Sequence, residues 1–357
     1  MPEKTADQRV HAAWRSRACA ASFACGASVF AFGAGIAMPL SLNAVWLSAL
    51  PCVPLCALAA ARCVVLSRRI QAGGGMRKWR AALLAAVMLA SCAFLTASLV
   101  SLAGYTLLEQ ARAVSCALLT VGFLLAAAAP RMQGVSRLCF AVRFVLPAAM
   151  LLCGLAFLPQ RDSPGLYPLL GPGAGPVLAG TAAMLSCAAP ALMLLLPLTS
   201  SRVSDAPTPP IMLFAGRAAA GAALGTALLL LYALPGGYEA MRARSVWGER
   251  LTFPLSGGAQ QPLIRMLMLL LQLFALQLGA VSLLCAAEDA LCLALPALRK
   301  HRAGLLLCAA ALAALMLLLT HAGYTAALIA APLIALPAAL TLLPALSPRG
   351  AGKEACG

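Results

Sequence analysis

Apolar residues in this chain neither alternate with polar ones nor repeat at helical spacing opposite a polar face. They run unbroken for about 18 residues or more, again and again, and each run is long enough to cross a hydrocarbon core of about 30 Å. The runs fall at roughly 18–38, 43–66, 81–107, 113–129, 137–158, 176–198, 211–234, 262–286, 303–320 and 324–343. Inside lipid a backbone must satisfy its own hydrogen bonds, so the runs are helices, whereas a β-barrel would show alternating segments of about ten residues. The pattern predicts an all-α integral membrane protein with about ten transmembrane helices. One membrane domain spans 18–343, between tails at 1–17 and 344–357. Met1 to Arg17 is mostly polar and ends in no small-residue cleavage site, so it reads as a cytoplasmic tail rather than a signal peptide.

Composition agrees: 62% of the 357 residues are hydrophobic and only 10% charged, too few charges to cover a soluble domain of this length. The net charge of +16 does not imply a nucleic-acid partner, because the cations sit in short loops and no soluble basic domain exists to hold one. With the N-terminus inside, alternate loops divide the Lys and Arg residues twenty to the inner side and six to the outer. That bias orients the chain with both termini cytoplasmic and an even number of spans.

Chemistry-bearing residues are sparse. The fourteen cysteines lie mostly inside apolar runs and form no Cys-x-x-Cys pair, and there are only three histidines. They read as small, polarisable packing residues, with no metal site or other cofactor expected. No zinc-protease helix motif, nucleophile elbow or phosphate loop is present, so no enzyme activity and no catalytic residues are expected. Arg143, Arg217 and Arg265 lie a turn or two inside span ends, where snorkelling accounts for them. Glu288 and Asp289 follow span eight beside Arg299 and Lys300 and read as a solvated interfacial cluster. Two outward segments, Gln160–Gly175 and Pro235–Gln261, are rich in Gly and Pro and read as surface loops, the first equally as a lid or half-helix over a cavity.

What remains is helix interruption. Span one contains Cys25-Gly-Ala-Ser-Val-Phe30, Phe32-Gly-Ala-Gly35 and Met38-Pro39; span six contains Leu185-Ser-Cys-Ala-Ala-Pro190. These spans are one five-helix repeat apart, as an inverted 5+5 transporter-like fold requires, and interrupted helices free backbone groups for a ligand. Close packing through small residues is the other account of the same pattern.

Three stretches carry a family resemblance. Leu42-Asn-Ala-Val-Trp-Leu-Ser48, Tyr167-Pro-Leu-Leu-Gly-Pro-Gly-Ala-Gly-Pro-Val-Leu178 and Phe253-Pro254 resemble motifs of the permease-like subunit of spore germination nutrient receptors. That family is a branch of the amino acid/polyamine/organocation transporter superfamily. The chain departs from it at Pro190-Ala191, where the family often has Gly-Glu, and at Gln272 or Gln277, where it often has Glu-Arg. The resemblance implies a subunit that senses a small nutrient such as an amino acid between spans one and six. It also implies residence in the spore inner membrane with a larger membrane subunit and a lipoprotein subunit. On that reading Gly26, Ala27, Ser28, Ser186 and Cys187 line the ligand site, with free N–H groups on its carboxylate and Ser hydroxyls on its ammonium. An amino acid permease and a non-transporting membrane anchor are the alternative functions.

Overall fold

The structure, a computed structural model, describes residues 6–41, 44–72, 78–106, 113–156, 172–196, 211–236, 262–299 and 303–322. All regular structure among them is helical. Helix α1 (Ala6–Phe32) runs into a π-helical segment (Gly33–Ala37) and short α2 (Met38–Ser41). Then come α3 (Val45–Ala49), α4 (Cys52–Ala72), α5 (Lys78–Thr106), α6 (Ala113–Ala128), α7 (Arg131–Val142) and α8 (Val145–Leu155). Helix α9 (Ala174–Leu192) ends in a 3₁₀ turn (Met193–Leu195) and is followed by α10 (Ile211–Gly236), α11 (Pro262–Ala294) and α12 (Ala303–Ala322). Six helical segments are long and apolar enough to cross a membrane, or seven if the bent pair α6–α7 is one span. The protein is an integral membrane protein.

Helices occupy nine of the ten expected positions; the tenth, at 324–343, lies outside the described residues, as do most of both Gly/Pro-rich loops. The single span expected over 137–158 is instead two helices. Pro147 has no N–H for the Arg143 carbonyl and its ring crowds that turn, so α7 ends at Val142 and α8 begins anew at Val145. Helix α7 also starts earlier than the apolar run, at Arg131, and meets α6 at 91°. Pro130 ends the preceding helix and Arg131 takes a φ of 58°, which turns the chain sharply. Along α7, Met132, Val135, Ser136 and Cys139 form one buried stripe, the spacing of a helix lying with one face on its neighbours.

Helix α1 is the axis of the bundle. Of the 18-residue apolar window within Trp14–Gly35, 89% is buried, and α1 packs against α7, α9, α10 and α11. Its residues are small on every side, with Ala18, Ala20, Ala21, Ala24, Cys25 and Ala31 all buried, so four neighbours can approach. The closest approach is to α10. A Cβ on Gly26 would stand 2.8 Å from the Gly221 carbonyl oxygen, and one on Gly225 would stand 2.8 Å from the Gly26 carbonyl oxygen. A Cβ on Gly221 would overlap the Ser22 carbonyl. Ser22-x-x-x-Gly26 on α1 thus meets Gly221-x-x-x-Gly225 on α10, backbone on backbone, the arrangement that van der Waals packing favours where lipid removes any hydrophobic drive between helices. A second seam joins α5 to α11: Cys92 Sγ donates to the Ala280 carbonyl at 3.3 Å. Phe94 of α5 stacks on Phe32 of α1, centroids 4.3 Å apart. The outer surface carries Leu119, Phe123, Leu152, Met212, Leu263 and Leu318, all more than half exposed, a periphery suited to lipid and not to water.

Backbone groups freed by breaks inside the bundle find hydroxyls. The second span leaves the helix at Leu50–Pro51, where Pro51 has no N–H to continue it. Thr181 Oγ1 of α9 donates to the Ser48 carbonyl at 2.7 Å, and Thr226 Oγ1 of α10 lies within donating reach of both the Ala49 carbonyl, at 3.2 Å, and the Ala222 carbonyl of its own helix, at 2.9 Å. Three helices are therefore tied together at one break.

Two sets of variants test this packing in detergent melts. Gly221→Leu and Gly225→Val force the α1–α10 seam apart and should each cost about 1–3 kcal/mol or more. Gly122→Ala and Gly216→Ala, where an added Cβ meets nothing within 4 Å, should leave the melting temperature unchanged or slightly raised. Thr181→Val and Thr226→Val should each cost on the order of 1 kcal/mol, the scale of interhelical hydrogen bonds in membranes.

Candidate functional site

A cavity of about 230 Å³ opens between α1, α8, α10 and α11. Phe23, Gly26, Ala27 and Phe30 of α1 form one wall, and Ala220, Leu224 and Leu228 of α10 a second. Phe144, Pro147 and Met150 close it at the α7–α8 joint, and Gln272, Ala275 and Leu276 on α11. The lining is mostly apolar, with Ser22, Cys19, Gln272 and two arginines as its polar groups. The cavity exists because α7 and α8 are separate helices: the chain steps aside at Arg143–Phe144 instead of filling the gap.

Both arginines are half-buried beside this cavity, and neither meets a carboxylate among the described residues. The Arg143 guanidinium sits 3.7 Å from the Phe140 ring centroid and 4.6 Å from that of Phe144. Its Nη1 donates a long 3.4 Å bond to the Phe140 carbonyl, while its Nε is buried with no hydrogen-bond partner. Arg217 Nη1 donates to Cys19 Sγ, 3.5 Å away, and Cys19 lines the cavity together with Arg143. An ion pair lies elsewhere on α1: Arg17 Nη1 meets Asp289 Oδ2 of α11 at 3.5 Å. Of the two residues expected as a solvated cluster, Glu288 is buried, while the Asp289 side chain is 40% exposed. Helix α11 continues through both to Ala294, with Glu288 buried beside Gly304 of α12.

The five residues expected at the ligand site are not brought together in this cavity. Gly26 and Ala27 line it; Gly26 also packs on Gly221, and Ala27 faces Gly279 of α11. Ser28 is fully buried elsewhere, its Oγ without a hydrogen-bond partner. Ser186 is half-buried on α9, and Cys187 is on the same helix with its side chain outside the described residues. Residues 26–28 lie in regular helix; α1 departs from it only at Gly33–Ala37, where the Met38 N–H reaches back five residues to the Gly33 carbonyl. Helix α9 likewise runs through Pro190, which has no N–H for the Ser186 carbonyl, before its 3₁₀ turn. The π segment does pack against α9 and α3, so the irregular backbones of spans one and two and the span-six helix meet in the bundle.

Sequence reasoning passed over Arg143, Arg217 and Gln272 as site residues. The signal was there, two arginines inside apolar runs, but snorkelling explains each alone. Only the packing puts them, 74 residues apart, on one cavity.

No protein-family model matches the chain, and no curated protein sequence matches it. Among solved structures it is similar to an Eremococcus coleocola manganese transporter in complex with an aromatic bis-isothiourea substituted compound. That match has 14% identity over 97% of this chain and 79% of the other, with a TM-score of 0.47. Two mutant forms of the same transporter match with the same identity and coverage and TM-scores of 0.47 and 0.43. TM-scores below 0.5 leave the architecture to be argued from the helices themselves.

The orphaned Ser28 hydroxyl gives a local test. Ser28→Ala removes a buried polar group that makes no bond, so the melting temperature should hold or rise by the equivalent of up to about 1 kcal/mol. A clear loss of stability would mean that Ser28 has a partner in the folded protein.

Proposed function

We propose that the chain is a transporter-type membrane subunit that binds a small nutrient in the cavity between α1, α8, α10 and α11. We further propose that it serves as the sensing subunit of a spore germination receptor in the spore inner membrane, both termini cytoplasmic. The observation that carries solute binding is the cavity, an apolar chamber among the helices with a few polar groups converging on it, the usual build of a small-molecule site. The irregular segments at Gly33–Ala37 and Leu50–Pro51 support a protein whose helices are interrupted for function, as in transporters. The germination role and its two partner subunits rest on the sequence resemblance alone, carried by Leu42–Ser48, Tyr167–Leu178 and Phe253–Pro254. Within the proposed site the arginines hold a carboxylate, because a guanidinium offers two parallel N–H donors to it.

The test is ligand-dependent stabilisation of the purified full-length protein. A ligand at a hundred times its Kd should add about 2.7 kcal/mol to stability. Ala220→Phe, at an exposed cavity-lining position on α10, should abolish that gain with little change in unliganded melting. If no nutrient stabilises the protein, or Ala220→Phe binds as well as the native chain, the site is misassigned. Uptake into proteoliposomes then separates a sensor, with none, from a permease. A tagged copy confined to growing cells would remove the germination role.

A further inference from the structure

Building on the proposed solute site, we infer that this cavity takes an organic anion with an apolar body, and not a zwitterionic amino acid. The argument is one of charge balance. Two guanidiniums, Arg143 and Arg217, face the chamber, while no Asp or Glu is among its described lining residues. The carboxylates of this bundle end are spent elsewhere, Asp289 on Arg17 and Glu288 against α12.

A half-buried cation loses part of its hydration and is costly unless that loss is met by a partner. Arg143 has aromatic faces on Phe140 and Phe144 but one buried N–H with no acceptor, and Arg217 has only the weak acceptor Cys19 Sγ. An anionic head placed between them would supply both acceptors, with charge-assisted bonds about twice as strong as neutral ones. Beyond the arginines the walls are Phe23, Phe30, Leu224, Leu228 and Met150, which suit an alkyl or aryl body. An α-ammonium would enter a site already holding two positive charges and would find no carboxylate to meet it, an unpaired burial that costs several-fold more than any hydroxyl could return. The recognised group is therefore a carboxylate or phosphate monoester head on an apolar chain, drawn either from solution or from an anionic lipid of the membrane.

The full-length protein in phosphatidylcholine nanodiscs would be titrated with octanoate, octanamide and 2-aminooctanoate, probes that share a chain and differ in head charge. Octanoate should bind at least tenfold tighter than either of the others. Arg143→Gln and Arg217→Gln should each weaken it tenfold or more, and Arg217→Lys should weaken it less. Octanamide or 2-aminooctanoate binding as tightly as octanoate would overturn the inference, as would two Gln variants with unchanged affinity. If a Gln variant does not fold, the three-probe comparison on the native protein decides alone. Doping the nanodiscs with phosphatidylglycerol identifies the source. A rise in the apparent Kd for octanoate assigns the site to a lipid headgroup, and no change assigns it to a solute. Binding of 2-aminooctanoate that Ala220→Phe abolishes would leave the solute site standing and this inference fallen. Absence of binding by every probe and nutrient would remove both.

Discussion

The structure depends on the contact between two backbones. Where α1 crosses α10, Gly26, Gly221 and Gly225 have no room for a side chain, and each faces a carbonyl of the other helix. In water such a contact would be reinforced by hydrophobic burial; in lipid it stands on packing alone, so its closeness matters more. It fixes α1 at the centre of the bundle. With α1 fixed, Gly279 of α11 can approach Ala27, Leu229 of α10 can fill the space at Gly33, and Phe32 can stack on Phe94.

The same crossing positions the cavity. Gly26 and Gly221 belong both to the seam and to the chamber wall, so a backbone-on-backbone contact borders a cavity. The gap persists because the α7–α8 joint, set by Pro147, carries the chain past it and leaves Arg143 at its edge. Packing and recognition are therefore coupled: a shift of α10 along α1 moves Arg217 relative to Arg143 and changes what the pair can hold.

Much of the architecture is legible in the sequence because apolar run length reports the bilayer directly; helices lie at nine of the ten expected positions. The exception around 130–158 is instructive. Run length read 137–158 as one span, yet Pro130 and Pro147 mark both ends of an intervening helix, and Met132, Val135, Ser136 and Cys139 show its buried face at helical spacing. The site was less legible. Gly and Pro inside spans pointed to interruption, but the sequence could not say whether Gly26 served a ligand or a neighbouring helix; here it borders both the seam and the chamber. Arg143 and Arg217 become a pair only once α8 and α10 are neighbours, which no local pattern encodes.

The central place of α1 has a bearing on how the protein is made. Helix α1 leaves the ribosome well before its partners, since α9, α10 and α11 begin about 140 to 230 residues after it ends. Until they arrive, a small-residue helix carrying the buried Arg17 waits in the bilayer without the surfaces that enclose it and without Asp289 to answer its charge. A chain broken off before α11 would thus keep its axis but lack both the carboxylate of Asp289 that meets Arg17 and the Gly279 surface that packs on Ala27.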